Sequence, residues 1–205
     1  MPITRVLAFL LFSFLLAGCH AKVVEPVIRV KSRTLVVVPL SDRTRGHFES
    51  TTGMEVARVT TSVLADHAED EDYSVVPYKT LEDRLSELDP RTLEFVDIGK
   101  KTDADTVIVG EMTRFETRQA GDIGIFRGLA HVRLRVYDLT KDGEVAHESE
   151  FEARFPVGYY TTGTVGATEM SEEEVRRGLI KSTALKLAQH FYEHEDEGDP
   201  KSEAW

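Results

Sequence analysis

Cys19 is the only cysteine in the chain, and it follows directly on Leu16-Ala17-Gly18. Small side chains at 17 and 18 suit the narrow cleft of a signal peptidase, and a thiol just past the cut can accept a diacylglyceryl group as a thioether. With no second cysteine the chain can form no internal disulfide. In an oxidising compartment a free thiol is reactive, whereas a thioether-linked lipid is inert. The other residues able to do chemistry do not assemble in this way. Seven histidines are scattered, none makes an H-x-x-x-H or H-E-x-x-H pair on a helix, and no zinc site is expected. Ser41, Asp42 and His47 share the loop after an apolar strand, where α/β sheets place ligands. No nucleophile elbow surrounds the serine, so this is read as a solvated polar loop. Gly121-Asp122-Ile123-Gly124-Ile125-Phe126-Arg127-Gly128 lacks the G-x-x-x-x-G-K-[ST] pattern and precedes a strand instead of a helix, so it is expected to connect a hairpin and not to hold phosphate. No catalytic residue and no cofactor is expected.

The segment before Cys19 has the form of a signal. Arg5 supplies positive charge, and from Val6 to Leu16 every residue but Ser13 is apolar. That run fits the ~7–15 residues of a signal h-region and falls short of the ~20 needed to cross a bilayer as a helix. Residues 16–19 resemble the lipobox of bacterial lipoproteins. The resemblance implies removal of residues 1–18, acyl chains including palmitate on Cys19, and a membrane as partner through that lipid. One chain anchors weakly, while three hold a protein on its leaflet. His20, where inner-membrane retention uses aspartate, implies the periplasmic side of the outer membrane.

Cleavage leaves 187 residues, enough for one medium domain. Only Arg5 is lost with the signal, so 24 basic face 36 acidic side chains, a net of −12. Such a surface repels nucleic acid, which is not an expected partner. Residues 19–32 are expected to be a lipidated tether, 33–192 the globular domain, and 193–205 an acidic disordered tail.

The elements that would position any site follow from periodicity. Thr34-Leu35-Val36-Val37-Val38-Pro39-Leu40 reads as a strand buried on both faces. A helix of about eighteen residues starts near Ser50, with Val56, Val59, Val63 and Leu64 as one apolar stripe. Tyr73 to Pro77 is a short strand. Thr80 is placed as the N-cap of a brief helix, and Asp89-Pro90 opens another that buries Phe95, Ile98 and Val96. Residues 106–115 form a third strand. Residues 128–138 and 145–155 flank Asp142-Gly143, a pair favoured in type I′ turns. A two-residue turn there sets Arg133 against Glu152 and Arg135 against Glu150 on one face. On the other it sets Val132 against Ala153 and Leu134 against Phe151. Ser171 with Glu174 is a capping box for a last helix, whose stripe is Val175, Leu179, Ile180, Leu187, Ala188 and Phe191. The expected fold is α/β (α+β), a single three-layer-like domain in the order β-α-β-α-α-β-β-β-α. Its mixed sheet is parallel in the first part and an antiparallel meander afterwards.

Three stretches together resemble one superfamily. They are Val36-Val37-Val38-Pro39-Leu40-Ser41-Asp42-Arg43-Thr44, the run from Lys101 through Ala104-Asp105 to Gly110, and Val132 to Asp138 with Asp142-Gly143-Glu144-Val145. In order and spacing, over most of residues 33–192, they are similar to the group that includes three kinds of protein. These are the curli-secretion-channel lipoprotein, the lipoprotein activators of penicillin-binding proteins, and the amino-terminal domain of the Tol–Pal periplasmic propeller protein. The resemblance implies the fold above; members of the group do different jobs. A curli-type pore needs amphipathic transmembrane hairpins with strands of ~9–11 residues. A face of Arg133, Arg135, Glu148, Glu150 and Glu152 could not lie against lipid, so no pore is expected. Residues 20–32 are also much shorter than an activator's linker, so either a partner lies close to the outer membrane or the activator analogy fails.

The expected function is therefore a non-enzymatic binding or accessory subunit of an outer-membrane or cell-wall assembly, with another envelope protein as partner. Ile123, Ile125 and Phe126 in one loop, and Tyr159 and Tyr160 in another, are the candidate partner-binding residues. Paired tyrosines beside flexible residues give contact area at small entropic cost. The alternative is a carrier or chaperone for lipid or glycan, which requires an apolar cavity between sheet and helices. The oligomeric state is not legible.

Overall fold

The computed structural model describes residues 22–43, 51–86, 94–118, 126–156 and 170–195. Along the chain run β1 (Val23–Val24), β2 (Thr34–Val37), β3 (Ser41–Asp42), α1 (Thr51–Asp66), β4 (Ser74–Val75), α2 (Tyr78–Leu85) and α3 (Phe95–Lys101). β5 (Thr106–Glu116), β6 (Gly128–Asp138), β7 (Glu144–Phe155), α4 (Glu172–Ala188) and β8 (His194–Glu195) follow. The main sheet has the order β4-β2-β5-β6-β7, with β3 pairing further along β5. β4, β2 and β5 are parallel, and β5, β6 and β7 form an antiparallel meander. This is the mixed α/β (α+β) fold that the sequence implied.

Burial follows the residue pattern. Leu35, Val36 and Val37 are all at most 1% exposed, as a strand covered on both faces requires. In β6 the side chains of Ala130, Val132, Leu134 and Val136 are buried, and those of His131, Arg133, Arg135 and Tyr137 alternate with them on the other face. α1 and α4 pack together on the apolar face, against β2 and against β6 and β7. On the opposite face α3 covers the start of β5. An added Cβ on Gly99 would lie 2.0 Å from Leu139 and 2.9 Å from Val107.

α4 forms where its sequence says it should. Ser171 accepts from the Glu174 N–H and its own N–H is satisfied by the Glu174 carboxylate, closing the capping box. All six residues of the expected stripe are buried. Ser171→Ala is expected to cost about 1 kcal/mol, the usual loss for a capping hydroxyl. In a urea titration this lowers the midpoint and leaves the slope unchanged.

α1 starts at Thr51 and ends at Asp66. Its buried side includes Thr60 and Thr61, and each hydroxyl donates to the carbonyl four residues back, at 2.8 Å. That bond lets a polar side chain sit in an apolar interface without an unsatisfied donor.

Several local expectations are corrected. Thr80 is inside α2, which begins at Tyr78 after Pro77, and Thr80 caps nothing. α3 begins at Phe95; Ile98 is buried, but Phe95 is 38% exposed. The expected helix start at Asp89-Pro90 lies outside the described residues.

The hairpin register differs too. Arg133 pairs with Glu150, Arg135 with Glu148, Val132 with Phe151, and Leu134 with Ser149. The connection is longer than two residues because Asp138 accepts from the Thr140 N–H and opens a 3₁₀ turn, Leu139–Lys141. Asp142 (φ 57°) and Gly143 (φ 78°) then turn the chain in the left-handed region. A bulge between Val136 and Tyr137, which leaves Ala146 of β7 without an opposite residue, then shifts the register back by one. The turn shifts the pairing by three residues and the bulge returns one, so from Val136 to Gly128 the slip is two, an even number, and those side chains keep their expected face.

Residues 22–32, assigned from sequence to a tether, run along the domain. Val23 and Val24 pair with Glu195 and His194. The Ile28 N–H donates to the His190 carbonyl at 2.8 Å, and Ile28 and Val30 belong to the core. His194 and Glu195, at the start of the expected tail, are thus held in a strand.

Candidate functional site

The sheet gives the domain two ends. Thr106, Asp138 and Glu144 are linked in register at one of them, and Arg33 joins them through its ion pair with Asp138, at 2.6 Å. The other end lies beyond the last residues of β5 and β7. With 11 residues in β5 the two are separated by about 35 Å.

At this far end the β5–β6 hairpin is closed by the Arg127 N–H donating to the Thr117 carbonyl at 2.9 Å. Phe126 is half-buried, and the Arg118 guanidinium stands 4.7 Å from its ring centre. The contact fixes both side chains at the hairpin base by a cation–π attraction. Phe155, the last residue of β7, pairs with Gly128. Its ring lies on Gly178 of α4, where an added Cβ would come within 2.2 Å of it. Only glycine permits that approach.

Cross-links tie the other elements to the same end. The Thr117 hydroxyl donates to the Glu172 carboxylate at 2.8 Å. Arg176 reaches from α4 to Glu55 at 3.1 Å and to the Thr52 hydroxyl at 3.0 Å, both near the start of α1. Asp42 pairs with Met112, and the Arg43 N–H donates to the Met112 carbonyl. The described residues that flank 44–50, 119–125 and 157–169 therefore all converge on one end of the domain.

Its titratable groups are engaged with one another. The Arg114 guanidinium, 2.6 Å from Glu116, holds that carboxyl below its ordinary value. The Ser171 N–H and hydroxyl do the same for Glu174. Along the middle of the sheet, on the face away from α1 and α4, Arg133 sits between Glu150 at 2.9 Å and Glu111 at 3.6 Å. Arg135 bonds Glu148 at 3.1 Å, while Glu152 is shared by His131 at 3.0 Å and Arg154. Paired charges this exposed contribute little net energy, in keeping with a solvated face.

Of the candidate contact residues, Phe126 is placed at this end, at the base of its loop. Ile123, Ile125, Tyr159 and Tyr160 lie outside the described residues, as do Cys19 and His47. Ser41 and Asp42 form β3, and Asp42 is buried. The close approach at Gly178, and another at Gly53, where an added Cβ would lie 1.9 Å from the Leu40 carbonyl oxygen, were not read from sequence. Single glycines in amphipathic helices give no sign of which neighbour they admit.

The near end carries the amino-terminal segment and a cluster of rings. His67 stacks on Tyr192 at 3.8 Å, and His190 lies 6.5 Å from His147 and 5.4 Å from Phe151. Burial, with His147 and His194 close by, holds the His190 imidazole below its ordinary pKa against the pull of the Lys186 carbonyl. His190 and His194 stand four apart in sequence, but the helix stops at Ala188, so the two are not on one helical face.

No protein-family model matches the sequence, and no curated protein matches it. Several solved structures of bacterial proteins are similar to this chain, each with a TM-score below 0.5. A lipoprotein of Neisseria meningitidis is 13% identical, matching 76% of this chain and 97% of its own, with a TM-score of 0.44. The LpoB C-terminal domain of Salmonella enterica is 13% identical over 70% of this chain and 91% of that domain, with a TM-score of 0.36. PelC of Paraburkholderia phytofirmans, solved as a dodecamer, is 12% identical over 84% of this chain and 98% of its own, with a TM-score of 0.43. Likeness at this level concerns the path of the chain and not its activity.

Proposed function

We propose that this protein is a lipid-anchored component of the bacterial envelope, tethered through Cys19 to the periplasmic side of the outer membrane. It acts there as a non-enzymatic accessory subunit that binds another envelope protein. The anchor rests on Leu16-Ala17-Gly18-Cys19 behind an apolar run of signal length. The contact surface is the end of the domain that holds Phe126 and the bases of the loops containing Ile123, Ile125, Tyr159 and Tyr160. One observation carries this reading: the flanks of those loops converge at one end, while Lys22, the first described residue after the anchor, adjoins the strand pair with His194 and Glu195, whose neighbour Glu193 bonds Glu71 in the region of the other. A partner at the far end is thus presented about 35 Å along the sheet from the anchored end.

A carrier of lipid or glycan would need an apolar hollow between sheet and helices. Leu64, Val56, Ile108, Leu134, Leu179 and Leu187 fill that interface with no exposure. A cavity of about 250 Å³ elsewhere is lined largely by charged side chains, among them Glu25, Arg29, Lys31, Glu71 and Glu193. Nothing there favours an acyl chain.

The test is capture of the partner by the double variant Tyr159→Ala/Tyr160→Ala. An aromatic anchor at the centre of an interface is worth about 2 kcal/mol or more, or ~30-fold in affinity. Capture should fall by at least that factor with the fold intact by circular dichroism. Full recovery would remove this loop from the surface.

A further inference from the structure

The sequence suggested a thirteen-residue leash, but the segment that would form it is bound to the domain. Lys22 is three residues past Cys19, so their Cα atoms are at most ~11 Å apart. From Val23 onward the chain is held by pairing with His194 and Glu195, by the Ile28–His190 hydrogen bond, and by the burial of Ile28 and Val30. Little slack is left between the lipid and the folded body.

The same segment displays two large apolar side chains in the wrong place for a water-facing strap. Val27 is 64% exposed and Val23 53% exposed, the highest values among the large apolar residues exposed in the described structure. Around them both signs of charge are present. Arg29 bonds Glu25 at 2.8 Å, and Lys22, Lys31, Glu71 and Glu193 stand on or beside the strap.

Resting on the lipid anchor at Cys19, we infer that residues 22–31 form a membrane seat. The domain lies directly on the leaflet that carries its anchor, with Val23 and Val27 at the headgroup boundary and the far end pointing away. Apolar side chains that close to acyl chains gain by leaving water. The mixture of cations and carboxylates suits zwitterionic headgroups better than an anionic surface. Short attachment then does what a long linker cannot: it fixes the orientation of the domain as well as its location.

The full lipidated protein carrying Val27→Cys tests this, with Glu173→Cys, at the exposed start of α4, as the comparison. Each is labelled with a fluorophore and placed on vesicles of phosphatidylcholine and phosphatidylethanolamine containing a lipid with a spin-labelled headgroup. The expected result is one label per chain, flotation with the vesicles, loss of fluorescence at position 27 and none at 173. Equal fluorescence at the two positions in protein that floats would overturn the seat and leave the anchor standing. Two labels per chain with no flotation would show a free Cys19 thiol and overturn both.

Discussion

Cys19→Ser is expected to abolish incorporation of labelled palmitate and to stop the release of residues 1–18. A serine hydroxyl is a far weaker nucleophile than a thiolate, so the diacylglyceryl group is not transferred and the lipoprotein peptidase has no substrate. The effect is all-or-none because binding by acyl chains is steep. Each buried CH₂ contributes about 0.8 kcal/mol, a single chain holds a protein only marginally, and three hold it firmly. The domain should fold as before, since its described core begins at Ile28. Mass spectrometry of the wild-type chain should find residue 19 first, carrying its acyl groups. Undiminished palmitate in the serine variant, or a mature chain beginning elsewhere, would contradict the anchor.

Asp138→Ala should be the most damaging change to a charged residue on the hairpin, lowering the free energy of unfolding by about 3 kcal/mol. The carboxylate accepts from Arg33 at 2.6 Å, from the Thr140 N–H at 3.0 Å and from the Thr140 hydroxyl at 2.6 Å. One side chain thus joins the entry to β2, the end of β6 and the 3₁₀ turn that sets the register. Breaking a buried ion pair costs about 3–5 kcal/mol. The lower end applies because Arg33 remains 28% exposed and recovers hydration. The same group makes the fold acid-sensitive. Arg33, followed by the Thr140 donors, outweighs burial and holds the carboxyl at about 2, against 3.8 ordinarily. The unfolded chain therefore takes up the proton first as pH falls. The contribution is complete above about pH 4 and disappears on the way to pH 2. Urea titrations at pH 7 and pH 3 should show the wild type losing more stability than Asp138→Ala. An equal loss in both would place the acid sensitivity elsewhere.

How much of this was legible depends on the range of the cause. α4 could be read from end to end because its signals are local: Ser171 and Glu174 cap it, and one stripe faces the sheet. β2 was legible for the same reason, an unbroken apolar run. In the β6–β7 hairpin, alternation showed which face each residue takes, but pairing partners depend on the turn. That turn is controlled by Asp138, whose side chain also answers to Arg33, 105 residues away. Thr60 and Thr61 were invisible as core residues because their hydroxyls are satisfied within the helix. Residues 22–32 read as a leash because their polar residues outnumber the two, Ile28 and Val30, that lock them down. For the candidate site, composition offered aromatic and apolar loop residues as candidates; of these only Phe126 is among the described residues, and it lies where the loop flanks meet. That the described flanks of these loops share an end was a property of topology, reached only once strand order was known.

The measurement that bears most directly on the central claim is crosslinking in intact cells, with mass spectrometry of what the lipidated protein captures. One defined envelope protein should be recovered, with crosslinks mapping to the far end around Phe126 and the loop of Tyr159 and Tyr160. Recovery of lipid or glycan alone, or of proteins joined only through the sheet face of Arg133 and Glu150, would contradict it.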